Sequence, residues 1–227
     1  MYCIACNIHA CAYHQNHLVL MHLIVHMYEQ KEKNHSINIY YLISSQAFAK
    51  FTEGLLKELD FFSLRPILCN MVFFAKSEDS ATRSNAITAL TAIAHQVRSV
   101  AGDSGKTEQG SEVFDAVVMK IVMPSMREAM NNEMETVRMD WILLLASLAK
   151  LFPQHPRFVD LFALTTTDPE TDVFLNLAHI QKHRRSRALH RIAEAARKGS
   201  ISASTARHIL LPMAAHGVLD FSRVRAY

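Results

Sequence analysis

The chain has 227 residues, of which 50% are apolar and 20% are charged, and its formal net charge is +3. This composition is typical of a folded protein with a sizeable core and excludes a predominantly disordered chain. Only six Gly and six Pro interrupt a sequence rich in helix-forming residues, so an all-α fold is expected. The most apolar run, residues 18–27, is too short to cross a bilayer and contains two His, so no membrane partner is expected.

The first 37 residues differ from the rest because they concentrate Cys and His. Cys3-x-x-Cys6 has the spacing of the first half of a zinc site, and seven further Cys and His follow without regular spacing. We therefore expect no metal and interpret residues 1–37 as an N-terminal extension that is poorly ordered or wrongly assigned. A metal-dependent enzyme that uses this segment stays an alternative. Three early Cys and Cys69 provide no disulfide framework, which favours a reducing compartment.

Residues 38–227 are predicted to form a helical-repeat segment. Apolar residues recur at helical spacing within residues 39–59, 67–75, 81–100, 112–131, 135–152 and 204–216. Pro66 suits the first turn of a helix, and Pro124 is predicted to kink or divide one. Residues 77–80 are predicted to cap the helix at 81–100, and residues 199–202, which begin with Gly199, to stop the basic helix. Trp141 and the methionines of residues 119–139 are predicted to fill the core. Short polar turns separate these segments, so we interpret them as antiparallel helix pairs.

Two inner helices are each preceded by an acid and an arginine, Asp79 with Arg83 and Glu133 with Arg138. HEAT units often place such residues where they bridge adjacent repeats. The two arginines are 55 residues apart, somewhat more than the period of ~40–47 residues of HEAT repeats. A flexible loop at residues 101–110 would account for the excess.

That loop contains Gly105-Lys106-Thr107, which matches only the end of a phosphate-binding loop. The full motif needs an earlier Gly after a buried strand, whereas Val100 stands at that position in a predicted helix. The serines lack the surroundings of a nucleophile elbow, so we predict that the chain is not an enzyme and has no cofactor or small-molecule substrate. His179 and His183 have the i, i+4 spacing of a metal pair, but the arginines beside them disfavour a cation.

Charge divides the last third of the chain. Residues 151–178 carry a net charge of −3, and residues 179–227 carry a net charge of +8. The pattern predicts a helix that starts at Asp168-Pro169-Glu170, continues through an apolar ladder to Ile180, and becomes basic after it. Arg184, Arg187, Arg191 and Lys198 are predicted to share one face, and the opposite face is formed by Leu189, Ile192, Ala193 and Ala196.

Such a face can serve three purposes. Arginine forks bind phosphate oxygens, and a basic surface grips folded RNA by shape and charge. An acidic surface on another protein would suit it equally well. The third possibility lies within the chain, where Asp160, Asp168, Glu170 and Asp172 are near enough in sequence to pair with it. The candidate residues for contact with RNA or a partner are Lys182, Arg184, Arg185, Arg187, Arg191 and Lys198.

Two motifs of this region, DPETDVF at 168–174 and HIQKHRRSRAL at 179–189, make a resemblance visible, together with FFSLRPIL at 61–68 and ILLPM at 209–213. The sequence resembles the very large HEAT-repeat scaffold of the small-subunit processome, also called the down-regulated-in-metastasis family. Residues 45–220 carry the resemblance. Val173 and Leu175 depart from it, since aromatic and acidic residues are expected there.

The resemblance implies a HEAT-like α-solenoid of stacked antiparallel helix pairs, corresponding to a fragment of a longer family member. It also implies a non-catalytic scaffold of the nucleolar particle that processes pre-rRNA and matures 18S rRNA. Its partners would be pre-ribosomal assembly factors, with the backbone of pre-rRNA or snoRNA as a further candidate. A generic HEAT-repeat adaptor outside ribosome biogenesis is the alternative.

Overall fold

The computed structural model describes residues 65–101 and 112–215. This part of the chain contains eight α-helices and no strand, which confirms the all-α prediction. The helices are α1 Arg65–Phe74, α2 Ser80–Ala101, α3 Met123–Ala129, α4 Glu135–Leu151, α5 Val159–Phe162, α6 Val173–Leu177, α7 Lys182–Arg197 and α8 Ala203–Thr205. The Cys/His-rich start, the helix predicted at 39–59 and the Gly105-Lys106-Thr107 turn lie outside these residues. None of the described helices is long and apolar enough to span a membrane.

Helices α1 and α2 start close to their predicted positions. Pro66 lies in the first turn of α1. The Asp79 carboxylate accepts hydrogen bonds from the Thr82 N–H at 3.0 Å and the Thr82 hydroxyl at 2.6 Å, so it caps α2 as the sequence predicts. Leu90, Ile93, Ala94 and Val97 are buried on α2 as expected, while Ile87 is only half-buried. These two helices pack against each other.

Pro124 divides the next helical stretch. The segment Asp115–Val122 is wound as a π-helix, and the Met123 N–H donates to the Val118 carbonyl five residues earlier. Helix α3 continues from it, with Pro124 in its first turn. Proline has no N–H and its ring crowds the preceding turn, so a wider winding before it keeps the chain helical. The prediction of a division at Pro124 is confirmed.

Helix α4 forms the centre of the described core. It packs against α2, α3, α5 and α6. Trp141 is fully buried, and its Nε1–H donates to the Ala75 carbonyl at 3.0 Å. The indole therefore fills space between α4 and the end of α1 and has its single donor satisfied. Its predicted role as a core anchor is confirmed.

An aromatic cluster closes the other end of α4. Phe114 lies before the π-helical segment, and its ring centroid is 4.8 Å from that of Phe152 and 6.2 Å from that of Phe158. His155 joins them, with its ring centroid 4.2 Å from that of Phe114. The cluster connects the start of one helical stretch with the short connection between α4 and α5.

Three arginines occupy equivalent positions near the starts of α2, α4 and α7. Each donates from Nη1 to the carbonyls six and five residues before it, at 2.6–3.2 Å. The three are Arg83, Arg138 and Arg185. Each guanidinium thus closes the turn that leads into its own helix, where backbone carbonyls would otherwise lack donors.

Two of these arginines also join different helices, but through acids other than Asp79 and Glu133. Arg83 Nε is 2.6 Å from an oxygen of Asp140 on α4, and Arg185 Nη1 is 2.7 Å from one of Glu135, also on α4. The expectation that an arginine and an acid bridge successive helices is met with different acids. Each acid is 50 or more residues away from its arginine in the chain, so the residues next to the arginine do not reveal it.

The prediction of a helix that starts at Asp168 and continues into the basic segment is wrong. Residues 168–171 form a turn, in which the Asp168 carbonyl accepts from the N–H groups of Thr171 and Asp172 at 3.0 Å. Asp172 is the true cap, because its carboxylate accepts from the Leu175 N–H at 2.9 Å. Helix α6 then has only five residues, and Ile180, predicted as part of the apolar ladder, is 84% exposed.

Helix α7 ends at a glycine, as the sequence predicts. Gly199 has φ +70°, the left-handed conformation that glycine adopts at least cost. Its N–H donates to the Ala196 carbonyl, and the Ser200 N–H donates to the Ala195 carbonyl. This Schellman pair satisfies two carbonyls of the last turn and starts the connection to α8.

Candidate nucleic-acid interface

The buried side of α7 is only partly the predicted one, since Ile192 is buried as expected but the buried face is rotated away from the rest. Arg185, Ala188 and Ile192 are buried at i, i+3 and i+7, whereas Ala193 and Ala196 of the predicted apolar face are exposed and Leu189 is half-buried. The Arg185 guanidinium causes this rotation, because it reaches inward to the carbonyls of the preceding turn and to Glu135.

Arg185 therefore cannot form part of an exposed row of cations. Its side chain is buried, and all its described hydrogen bonds are made from Nη1 within the fold. The expectation of an exposed Arg185 is corrected for a physical reason. Helix α7 begins only three residues before it, so the open carbonyls of the turn compete with solvent for the guanidinium.

Three other arginines of the predicted set face the turn at residues 168–171. Arg184 and Arg187 each place Nη2 against a different oxygen of the Glu170 carboxylate, and the Arg187 contact measures 3.4 Å. Arg191 Nη1 donates to the Thr171 carbonyl. Of the three purposes considered for the basic face, pairing with nearby acids of the same chain is the one observed for Arg184 and Arg187.

The turn that carries Glu170 is held by a dense set of hydrogen bonds. Asn176 is buried, and its Nδ2 donates to the carbonyls of Pro169, Glu170 and Asp172 at 2.7–3.2 Å. The fully buried Asp172 also accepts from the Thr166 N–H at 3.2 Å and lies 3.4 Å from Lys150 Nζ. Sequence reasoning missed Asn176.

The solvent-facing side of α7 carries a different set of residues. Those exposed are Lys182, His183, Ser186, Arg187, His190, Ala193, Ala196 and Arg197. Their spacing follows one face of the helix, and at ~1.5 Å per residue it extends over roughly 22 Å. We call this set, together with Lys198, the α7 outer face. It includes three residues of the predicted set, Lys182, Arg187 and Lys198, and three further ionisable residues, His183, His190 and Arg197.

Lys198 ends the outer face and is 69% exposed. Its Nζ is 2.7 Å from an oxygen of Glu194, one turn earlier on the same helix. The hydrogen bond from Lys198, and then its charge, lower the pKa of the Glu194 carboxyl. Such an exposed i, i+4 pair contributes little to stability.

Metal binding finds no support on α7. His179 precedes the helix, and its Nδ1 accepts from the Gln181 N–H at 3.0 Å, so it does not share a helical face with His183. Within residues 65–101 and 112–215, no group of three or more His, Cys, Asp or Glu could hold a metal ion. The segment before Gly105-Lys106-Thr107 is the helix α2, whereas a phosphate-binding loop follows a strand.

Comparison with known proteins gives the chain a context. The family model described as U3 small nucleolar RNA-associated protein 20, N-terminal, matches residues 12–134. The protein of that name from Schizosaccharomyces pombe is 27% identical over 169 residues, which cover 74% of this chain. The one from Saccharomyces cerevisiae is 28% identical over 157 residues, or 68% of this chain. Each alignment covers 6% of the relative, so the chain spans a small part of the length of these curated relatives.

Proposed function

This chain belongs to the family of U3 small nucleolar RNA-associated protein 20, the down-regulated-in-metastasis family, and we propose that it is a non-catalytic part of the nucleolar small-subunit processome. The family match, which extends over more than half of the chain, carries this proposal. In this role the protein acts in pre-rRNA processing and 18S rRNA maturation. Its partners in this role are pre-ribosomal assembly factors and a small nucleolar ribonucleoprotein. The names of the relatives, which state an association with U3 small nucleolar RNA, support the second of these.

We further propose that the helices stack as a HEAT-like solenoid. The support is the recurrence of one arginine contact at Arg83, Arg138 and Arg185, at intervals of 55 and 47 residues. The longer interval contains residues 102–111, and without them the two intervals become similar. Repeat units of ~40–47 residues are typical of HEAT proteins, in which each unit buries its apolar face against its neighbours.

Within that scaffold, we propose the α7 outer face as the surface that contacts RNA. Lys182, Arg187, Arg197 and Lys198 present four cations on exposed side chains, while Arg184, Arg185 and Arg191 support the helix from the side facing the rest of the fold. Contacts from such cations to phosphates supply affinity without reading sequence. This suits a protein that recognises folded RNA by its shape and charge.

Co-sedimentation with pre-ribosomal particles tests the proposal. The variant K182A/R187A/K198A should lose association with the particles while its helicity, measured by circular dichroism, stays unchanged. The matched control is K120A/R127A/R207A, which removes the same charge from exposed residues on other elements and should keep the association.

The two variants separate three outcomes. Equal association of both variants and the wild type would show that the outer face does not contact the particle. Equal loss in both would indicate a general charge effect. Absence of the wild type from these particles, with capture of unrelated proteins, would favour a HEAT adaptor outside ribosome biogenesis.

A further inference from the structure

Glu170 contacts two arginines of α7 through a partly exposed carboxylate. Its carboxylate accepts one guanidinium on each oxygen, Arg184 on Oε1 and Arg187 on Oε2. The Glu170 side chain is nevertheless 53% exposed, and the arginines belong to the first two turns of α7. The pair of cations is therefore held by a group that water, or a stronger anion, can reach.

The geometry leaves both arginines incompletely bonded. Arg184 uses Nη2 for Glu170, whereas its buried Nε has no acceptor among the described residues. Arg187 contacts the carboxylate at 3.4 Å, at the long limit of a hydrogen bond. A fork-to-fork arrangement would use two N–H groups of one guanidinium, and Glu170 cannot provide it while it divides its oxygens between two arginines.

Glu170 is fixed by its backbone rather than by its side chain. The Glu170 N–H donates to Asp168 Oδ1 at 3.0 Å, and the Glu170 carbonyl accepts from Asn176 Nδ2 at 3.2 Å. The conformation of the turn therefore does not depend on the contact between the carboxylate and the arginines. Exposed ion pairs contribute little to stability, so their exchange for a ligand costs little.

We propose that Arg184 and Arg187 form a phosphate-binding pair for the RNA backbone, and that Glu170 occupies the pair until a phosphodiester displaces it. A phosphodiester group offers two unesterified oxygens, which suits one Nη2 donor from each arginine. Lys182 and the rest of the outer face continue the cationic surface beside the pair. This inference rests on the proposed RNA contact and adds a competing carboxylate to it. The Glu170 carboxylate would exclude weakly binding phosphate ligands and favour RNA, which binds through several phosphates at once.

Neutralising Glu170 without changing its size tests the inference. The full-length variant E170Q should bind a short labelled poly(U) RNA about three- to tenfold more tightly than the wild type, because one or two further phosphates are neutralised. The logarithm of the binding constant should also fall more steeply with the logarithm of salt concentration, by roughly 0.7 for each added phosphate. The readout is fluorescence anisotropy at several salt concentrations, with circular dichroism to confirm that helicity is retained.

A matched control comes from another exposed ion pair. Glu128 on α3 holds Lys76 at 2.6 Å and is itself exposed, so E128Q changes the net charge and frees one cation away from α7. It should leave poly(U) binding within about twofold of the wild type, as expected for a weak, non-local charge effect. The triple variant E170Q/R184A/R187A should lose the gain of E170Q.

The outcomes separate the two proposals. If the wild type binds poly(U) and E170Q gains no more than E128Q, the competing role of Glu170 is wrong and the RNA contact stands. If E170Q gains but the triple variant keeps the gain, the phosphate does not bind at this arginine pair and the inference is also wrong. If neither the wild type nor any variant binds RNA at low salt, both the proposed RNA contact and the competing role of Glu170 are wrong. Tighter binding of E170Q to a poly-glutamate peptide, with no gain for poly(U), would replace RNA by an acidic protein.

Discussion

Helices α4 and α7 begin alike and lie in different surroundings. Each has an arginine near its start that bonds the carbonyls of the preceding turn, Arg138 in α4 and Arg185 in α7. Over its whole length α4 buries eight residues, including Trp141, whereas α7 buries three, including Arg185 itself. The arginine contact thus fixes a helix start wherever it occurs, and the side chains that follow decide whether the helix forms core or surface.

The largest expected effect comes from breaking the core helix. Trp141→Ala should lower the free energy of unfolding by about 3–5 kcal/mol, since it empties a fully buried site and leaves the Ala75 carbonyl without its donor. Urea denaturation followed by circular dichroism measures the change. Trp141→Phe keeps much of the packing and should cost less. Equal losses in both variants would show that the indole hydrogen bond, rather than the volume, dominates.

Two arginines of α7, two residues apart, sharpen the comparison between buried and exposed positions. Arg185→Ala should cost roughly 1–3 kcal/mol of unfolding free energy, because the carbonyls of His179 and Ile180 lose a donor inside the fold. Arg187→Ala should cost no more than about 0.5 kcal/mol, because its ion pair is exposed.

The same two variants should rank in the opposite order in an RNA-binding assay. Arg187→Ala is expected to weaken binding and reduce its salt dependence, while Arg185→Ala should change binding only as far as it unfolds the chain. Measurements well below the melting temperature of each variant separate the two effects. Equal stability losses for the two variants would contradict the assignment of Arg185 to the interior.

The sequence predicts the elements whose signals are local. The Asp79 cap, the position of Pro66, the division at Pro124, the burial of Trp141 and the stop at Gly199 all follow from residues within one or two turns. Each depends on backbone chemistry that neighbouring residues determine. The structure confirms these features at or within a few residues of the predicted positions.

The orientation of α7 could not be predicted in the same way. Periodicity assigns charged residues to the solvent side, yet Arg185 is buried because distant Glu135 and the carbonyls of a turn receive it. The start of α7 differs from the prediction for a separate and local reason. Asp168-Pro169-Glu170 has the composition of a helix start, but the cap at Asp172 and the amide of Asn176 stabilise a turn instead. Contacts across 50 residues leave no local pattern.

A smaller effect is expected at the end of α7. Gly199→Ala should cost about 1 kcal/mol, since an L-residue at φ +70° is strained. An added Cβ would meet no atom within 4 Å, so the loss reflects backbone strain alone. Gly199→Asn, which tolerates this conformation better, should recover part of it in the same denaturation experiment. A neutral Gly199→Ala would contradict the Schellman geometry.

The smallest expected effect concerns pH and the end of α4. Burial beside the phenylalanines lowers the pKa of His155, an effect that nearby Asp115 partly opposes. Because the folded state resists protonation, the contribution of His155 to stability is complete above its ordinary pKa of 6.5 and is lost as the pH falls through its folded pKa. Protonation would also remove the acceptor that Nδ1 offers to the Arg157 N–H at 3.2 Å. We therefore expect the melting temperature of the wild type to fall between neutral pH and pH ~5 by a little more than that of His155→Gln, which has no titratable group. Parallel pH profiles for the two proteins would show that the imidazole is fully solvated and does not belong to the aromatic cluster that ends the core helix.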